Sequence, residues 1–255
     1  MPQPKVASEV ARRLMREASE RGLQPGDHLG AESWLLERYG VARGSLREAL
    51  RLLEAQGAVE MRRGAGGGAI IARPQPAQLA GFLAMTLQSG HGDMRTILEA
   101  RSAFEPTMAA LAAQRRTPDE LQQLKECTEN LMSSRHDSGA FHRHNRQFHD
   151  LVATASHNLV VAAILPALSW MSEAMGWELD QRVRKRVASE KRLIYDAIEA
   201  SDSWLASQRM SRMIMGYEEM ERSNPSKLTA PIIWADVDEL LETYLAQSED
   251  EWSSD

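Results

Sequence analysis

Residues 41–57, VARGSLREALRLLEAQG, constrain the fold of this chain more than any other stretch. Ser45 is followed three residues later by Glu48, a capping-box pattern that predicts a helix beginning near Ser45. Gly57 stands where a left-handed C-terminal cap is expected. The apolar residues recur with helical spacing on one side: Leu46, Ala49, Leu50 and Leu53. This amphipathic helix must therefore pack its apolar side on the rest of a domain.

Three arginines, Arg43, Arg47 and Arg51, are spaced to lie away from the leucines of this helix. On an isolated helix such a stripe is typical of a solvated face, so its neighbours decide the interpretation. Upstream, residues 32–39 predict a short helix closed by Gly40. Downstream, residues 59–62 and 69–72 predict two strands joined by a basic, glycine-rich tip. Together these elements predict a winged helix-turn-helix with a cationic face.

Three motifs within residues 6–73, PGDHL, GVARGSLREALRLLEAQGAVE and RRGAGGGAIIA, resemble the DNA-binding domain of GntR-type bacterial transcription regulators. In that family, the positions matching Arg43 and Arg47 contact operator bases and phosphates, and a glycine matching Gly66 enters the minor groove. The resemblance implies a set of DNA-binding residues: Arg43, Gly44, Ser45, Arg47, Arg51, Gly64, Gly66 and Gly67.

The chain departs from this family at positions that face the operator. Ala42 and Gly44 replace residues that usually carry a hydroxyl group, and Ala31, Glu32 and Ser33 lack the arginine of the usual serine-glutamate-arginine opening. We therefore expect a related but shifted operator, bound as a short palindrome by a homodimer.

Charge is distributed unevenly along the 255 residues. The net charge is −6, but residues 1–73 hold 12 Lys and Arg against 9 Asp and Glu, whereas the remainder holds 18 against 27. A basic N-terminal part followed by an acidic remainder favours DNA contact at one end of the chain only.

The single cysteine, Cys127, excludes an internal disulfide, and no apolar stretch is long enough for a signal peptide or a membrane span. A cytoplasmic protein with no membrane partner is expected.

The remainder of the chain shows helical periods without a strand pattern. Pro74 and Pro76 predict a stiff linker at 74–76, so the domains are predicted as 1–73, 77–222 and an extension at 223–255. Thr117 and Glu120 form a second capping pattern with Pro118 between them. The predicted helices are 77–88, 93–116, 118–134, 138–155, 159–179, 183–200 and 203–221. The expected fold class is mainly α, with a winged helix-turn-helix followed by an all-helical bundle.

Polar side chains interrupt the apolar stripes of three predicted bundle helices. Arg101 interrupts the stripe Ile97, Phe104, Met108 and Leu111, whereas Asn145 and His149 lie on the fourth helix and Lys191 on the sixth. Arg101 could pair with Glu105 at the surface, Lys191 could snorkel into solvent, and His149 could be a satisfied core histidine. Because unpaired buried charge is costly, the combination favours a polar cavity.

The helical body resembles the ligand-sensing FCD domain of the FadR subgroup, through EARSAFEP and NRQFHDLVATASHN. Many members bind a divalent metal through an aspartate and three histidines, at positions that match Asn145, His149, Lys191 and Met213. Only His149 is a strong ligand here, so we expect no bound metal; a site rebuilt from His142, Asn145 and His149 is the alternative.

We expect Lys191 to take over the electrostatic role of the metal and, with Arg101, to hold a small carboxylate or other anionic metabolite. The predicted effector-binding residues are Arg101, Asn145, His149, Lys191 and Met213. A long acyl or acyl-coenzyme A ligand, suited to the methionine-rich last helix, remains open, as does a body that only dimerises. An enzyme is disfavoured because no catalytic spacing is evident and RRGAGGGA lacks the ending of a phosphate-binding loop.

The extension contains one predicted amphipathic helix at 236–246, followed by an acidic tail at 248–255 that is expected to be disordered. The apolar face of the helix should dock on the bundle or on a dimer partner.

Overall fold

The computed structural model describes residues 4–62, 64, 67–174, 179–222 and 225–237. The chain divides into two compact units, Met1–Gln78 and Leu79–Asp255. The finer division into head, linker, bundle and extension stays a prediction. Pro76 is the first residue of a helix, where its missing N–H costs no hydrogen bond.

The first unit combines three helices with a small sheet, as the motifs predict. Strands β2 and β3 form the expected hairpin, and β1 adds to the free edge of β3, so that the antiparallel order is β1-β3-β2. The third strand was missed because three residues carry no periodic pattern. The elements are α1 Pro4–Glu20, β1 His28–Gly30, α2 Glu32–Tyr39, α3 Arg43–Ala55, β2 Val59–Arg62 and β3 Gly68–Ile71.

Helix α3 begins two residues earlier than its capping pattern indicates. Its N-cap is Ala42, which has extended backbone angles and no side-chain acceptor. Ser45 is buried, and its N–H donates to the carbonyl oxygen of Ala42. The predicted capping box of Ser45 and Glu48 is therefore wrong. Gly57, with φ of +69°, does turn left-handed beyond the helix as predicted.

The apolar face of α3 lies in the core of the first unit. Leu46 is fully buried and packs with residues of α1, α2 and the sheet, which fixes the opposite, arginine-bearing side toward solvent. The buried leucines of this core are Leu14, Leu29, Leu35, Leu46, Leu50 and Leu53.

In its described part, the second unit consists of helices joined by short connections, with one isolated bridge between Asp93 and Pro231. A 3-10 turn at Ser134–His136 joins α6 to α7. The capping box of Thr117 and Glu120 is confirmed at the start of α6. The predicted end of the fifth bundle helix falls partly outside the described residues. The helices are α4 Pro76–Ser89, α5 Met94–Arg115, α6 Pro118–Ser133, α7 Ser138–Ala155, α8 Leu159–Ala174, α9 Gln181–Glu199, α10 Ser203–Arg222 and α11 Pro225–Leu228.

Helix α5 is central to this unit, because α7, α8, α9 and α10 all pack against it. Its buried side differs from the predicted stripe. Phe104 is 48% exposed, whereas Glu105 is 1% exposed and points inward with Arg101. A carboxylate and a guanidinium therefore enter the bundle together.

The segment after α11 packs on the junction between α4 and α5. Ile232 is fully buried, and its N–H donates to the carbonyl oxygen of Gly92 over 3.1 Å. The N–H of Trp234 donates to Oε1 of Gln88 over 2.7 Å. Most of the predicted helix at 236–246 and the acidic tail lie outside the described residues. Among those described, no helix combines the length and apolarity needed to cross a bilayer.

Candidate functional site

The exposed side of α3 carries the three predicted arginines. Arg43, Arg47 and Arg51 have side chains 71%, 60% and 74% exposed. Oε1 of Glu32, on α2, lies 3.3 Å from Nε of Arg47 and 3.5 Å from Nε of Arg43. Solvent-exposed pairs contribute at most about 1 kcal/mol, so Glu32 orients these guanidinium groups without preventing their release to a phosphate or a base.

The strands of the hairpin lie beside this cationic side. An open groove of about 650 Å³ runs between α3 and the strands, and its lining includes Arg47, Arg51 and Met61. At the tip, Gly64 has a φ of +101°, and the N–H of Gly67 donates to its carbonyl oxygen over 2.9 Å. Gly44 is exposed, whereas Ser45 contributes to the core instead of this face. Gly66 lies outside the described residues.

A second polar group is buried in the helical unit. Nε of Arg101 contacts Oε1 of Glu105 at 2.6 Å, and its Nη1 donates to Oγ of Ser172 over 3.1 Å. The other carboxylate oxygen, Oε2 of Glu105, lies 3.1 Å from Nδ1 of His149, although the ring is not well aligned for a hydrogen bond. Arg101 therefore pairs with Glu105, as one alternative predicted, but the pair lies in the interior and not at the surface.

Lys191 joins this group from α9. Its side chain is fully buried. Nζ donates to the backbone oxygen of Asn145 over 2.5 Å and lies 4.6 Å from the ring centroid of Phe148. The ammonium therefore does not snorkel to solvent. We call Arg101, Glu105, Asn145, His149 and Lys191 the buried polar cluster.

Four side-chain atoms of the buried polar cluster lack a hydrogen-bond partner among the described residues. Oε2 of Glu105 and Nδ1 of His149 lie 3.1 Å apart, and the other two, Oδ1 of Asn145 and Nε2 of His149, lie on successive turns of α7. Such atoms cost about 1–3 kcal/mol each when left unpaired, which favours a site that a ligand or water completes. Met213 is buried on α10, in keeping with its apolar character.

The ionisation of the cluster follows from its contacts. Burial alone would raise the pKa of Glu105, but the charge of Arg101 and the neighbouring His149 outweigh it and lower that pKa to about 2. Burial and the charge of Lys191 lower the pKa of His149 to about 4, despite the opposing effect of Glu105. At neutral pH, Glu105 is thus an anion and His149 is neutral.

The residues present do not fit a divalent cation. The described part of the chain contains no group of three or more His, Cys, Asp or Glu side chains that could hold a metal ion. The ammonium of Lys191, which repels a cation, instead lies against α7 at Asn145. Burial and the charges of Arg184 and Arg146 lower the pKa of His142. The same two cations would repel a metal ion at this residue, which disfavours the rebuilt alternative.

Each of the two units contains a region that matches a known protein family. The family description "Bacterial regulatory proteins, gntR family" matches residues 6–67, and "FCD domain" matches residues 96–215. The chain belongs to the GntR family of bacterial transcription regulators. Its fold class and FCD-type architecture are as predicted, and its domains are those of DNA-binding regulators rather than of enzymes.

Individual relatives support this membership over most of the chain. The "Galactonate operon transcriptional repressor" of Escherichia coli is 29% identical, over 74% of this chain and 85% of its own length. The "Putative L-lactate dehydrogenase operon regulatory protein" of the same organism is 30% identical, over 78% and 80% respectively. A solved structure titled "Streptococcus agalactiae GntR" superposes with a TM-score of 0.66 at 25% identity, covering 84% of this chain and 99% of that chain.

Sequence reasoning identified Arg101, His149 and Lys191 but not the inward position of Glu105. The four-residue spacing of Arg101 and Glu105 was a signal for their pairing, although not for its burial. Glu105 and His149 lie on different helices, so the spacing of residues along the sequence could not predict their contact.

Proposed function

We propose that this GntR-family regulator binds a short palindromic operator as a homodimer and responds to a small anionic metabolite bound in its helical unit. The observation that carries the proposal is the pairing of two cationic sites in one chain: an exposed arginine face on α3 and a buried lysine and arginine among the bundle helices. The first suits DNA phosphates and bases, and the second suits a ligand removed from solvent.

The DNA-binding half rests on α3 and the hairpin. Arg43 and Arg47 are exposed, and their pairs with Glu32 are weak enough to be exchanged for guanine or phosphate. The glycine-rich turn at Gly64 would let the backbone of the wing approach a second groove of the operator. A two-fold dimer would present two such faces to a two-fold operator.

The ligand-binding half rests on the charge of the buried polar cluster. Arg101 and Lys191 are cations, Glu105 is the one anion among its members, and His149 is neutral. The two buried cations are the groups that a carboxylate ligand would contact in this unit.

The relatives' names point in the same direction. One relative is named for a galactonate operon and another for an L-lactate dehydrogenase operon. Galactonate and lactate are small organic acids. This supports a compact carboxylate over a long acyl ligand for the present regulator.

The operator is testable with DNA selected from random or genomic fragments by the purified protein. Binding measured by fluorescence anisotropy should weaken steeply with salt, because phosphate contacts release counterions. Arg47→Ala should cost about 1–3 kcal/mol of operator affinity. Arg192→Ala, in an exposed pair with Asp196 on α9, is the matched control and should bind normally. A flat salt response, or normal binding by Arg47→Ala, would contradict the assignment.

The sensing role is testable by native mass spectrometry of the purified protein. A dimer that carries a small acid, and whose operator affinity changes when that acid is added or removed, is the expected result. A bound mass in the range of an acyl chain or acyl-coenzyme A would refute the small acid as ligand and support the acyl alternative. If the dimer is empty and no acid changes its operator affinity, the sensing role is refuted. Dimerisation would then be the remaining role of the helical unit.

A further inference from the structure

The first two turns of α9 carry a run of cations on an otherwise acidic part of the chain. Four of the five residues at 182–186, RVRKR, are Arg or Lys. Arg182, Lys185 and Arg186 are exposed, and none of the three forms an ion pair with another residue that the structure describes. We call these three residues the basic face of α9.

The position of the basic face at the start of a helix makes its charge unfavourable. The amino end of a helix carries a partial positive charge, which repels cations in the first turns. Asp180 caps the helix by accepting from the N–H of Val183 and is engaged with the backbone. Arg184, the fourth cation of the run, donates to the carbonyl oxygens of Arg135 and Leu179, which holds it against the bundle. The three exposed cations therefore remain available to an anion.

The C-terminal extension has the opposite charge. Residues 236–255 contain eight Asp and Glu and no Lys, Arg or His, and three of these acids are consecutive at 249–251. They complement the three exposed cations of the basic face. DNA phosphates are another anion, but the extension belongs to the same chain, and a short tether raises the effective concentration to about the millimolar range.

The fold brings the extension to the end of the bundle at which α9 begins. Helices α5 and α9, of 22 and 19 residues, pack against each other. Nη2 of Arg116, which follows α5, donates to the carbonyl oxygen of Glu199 at the end of α9 over 2.9 Å, so the two helices end together and begin together. The N–H of Ile232 donates to Gly92, just before α5. The extension therefore passes the same end of the bundle as the basic face.

The chain that follows Val237 is long enough to reach the basic face. Eleven residues separate Val237 from Glu249, and such a stretch spans about 18 Å as a helix or about 40 Å when extended. The axes of packed helices lie about 8–10 Å apart. Either span therefore covers the distance between the starts of two neighbouring helices.

We propose that the acidic residues Glu249, Asp250 and Glu251 dock on the basic face of α9 of the same chain. Their carboxylates contact the exposed guanidinium and ammonium groups. Pairs of exposed charges are individually weak, so the docking depends on several of them at once and weakens with salt. This contact involves neither the operator nor the effector and goes beyond the function proposed above.

Carbodiimide cross-linking of the full-length protein tests this docking, because the reagent joins a lysine to a carboxylate only when the two are in contact. Mass spectrometry should find Lys185 joined to an acid within 249–251, and the yield should fall at least about threefold in about 1 M NaCl. Lys125, exposed on α6, is the control and should not be joined to these acids. The proposal is overturned if Lys185 forms no such cross-link or if Lys125 forms it equally well.

A double substitution, Arg182→Gln with Arg186→Gln, removes two charges of the basic face and keeps Lys185 as the reactive group. The variant should fold normally because both arginines are exposed, which thermal unfolding checks, and its cross-link yield should fall at least about threefold. Arg192→Gln, on the same helix and in a pair with Asp196, is the matched control and should keep the yield. An unchanged yield in the double variant would count against docking on this face.

Two further measurements identify other occupants of the basic face. In a mixture of unlabelled and isotopically labelled protein, each cross-link should join peptides of one label, whereas mixed pairs would assign the face to the extension of a partner and overturn docking within one chain. If no cross-link forms and the double variant binds unrelated DNA more weakly than the unaltered protein, the face belongs to nucleic acid and the proposal fails. Arg47→Ala should keep the cross-link whether or not it loses operator affinity, so the two proposals fail separately.

Discussion

At the scale of single residues, Glu105 determines the chemistry of the helical unit. It is 1% exposed, contacts Arg101 and His149 at once, and belongs to the helix that the other bundle helices pack against. Removing one partner of a buried ion pair costs about 3–5 kcal/mol. The three side chains therefore form one unit, and the ionisation of each depends on the others.

This coupling predicts a loss of stability in mild acid. His149 stays neutral in the folded protein because burial and Lys191 lower its pKa to about 4 from 6.5, against the opposing charge of Glu105 and with Arg101 adding to the lowering. In the unfolded chain the ring takes up a proton as the pH falls below 6.5. The unfolded state then binds more protons, so folding stability decreases between pH 6.5 and 4, by about 3 kcal/mol from this residue.

Urea unfolding at several pH values between 8 and 4.5 measures this dependence. His149→Gln cannot titrate, so its free energy of unfolding should change less over this range than that of the unaltered protein. The comparison at pH 8, where the imidazole is neutral in both states, gives the baseline. Equal changes in the two proteins would show that another group is responsible.

At the scale of the elements, the start of α3 offers a stabilising substitution. Ala42 has the extended backbone angles of an N-cap, with φ of −65° and ψ of 145°, but no side-chain oxygen. Ala42→Ser would place an acceptor near the N–H groups of Gly44 and Ser45, the second of which already donates to the Ala42 carbonyl, and we expect it to stabilise the protein by about 0.5–1 kcal/mol. Ala55→Ser, at the exposed end of the same helix, should bring no gain. Chemical denaturation compares the two, and equal effects would exclude capping.

Local signals explain which elements could be predicted. The turn at Gly40, the pair Thr117 and Glu120, and the hairpin strands each depend on residues close in sequence, and all are observed. The capping box predicted at Ser45 and Glu48 is wrong because a capping pattern specifies only a spacing. The actual N-cap is set by where the chain leaves the turn after Gly40. Strand β1 depends on pairing with β3, forty residues away, which no local pattern records.

The buried site was predictable only in part for the same reason. A polar residue on an apolar stripe is visible in the sequence, and this identified Arg101, His149 and Lys191. The apolar spacing of α5 predicts a buried Phe104, yet the helix is rotated so that Glu105 points inward. That rotation is set by packing against four other helices. The hydrogen bond from Lys191 to the backbone of Asn145 likewise joins two helices and has no local signature.

At the scale of the whole molecule, each compact unit has a core of its own. Leu46 is fully buried in the core of Met1–Gln78, and Ile232 is fully buried in Leu79–Asp255, where its backbone also donates to Gly92. Ile232 comes from the C-terminal extension, beyond the part that the FCD family description matches. The described part of the extension therefore belongs to the fold of the second unit.

Hydrogen exchange monitored by mass spectrometry can test whether these cores act separately. Leu46→Ala and Ile232→Ala should each cost about 2–5 kcal/mol through the cavity they create. We expect Leu46→Ala to accelerate amide exchange in peptides from residues 1–78, and Ile232→Ala to accelerate it in peptides from 79–237, because local stability follows the core that is weakened. Leu52→Ala, at a position 36% exposed on α3, is the control and should change exchange little. If both core variants accelerated exchange along the whole chain, the two units would unfold as one. An effector bound in the second unit would then act on operator binding through the stability of the whole protein. It would not act through a change confined to its own unit.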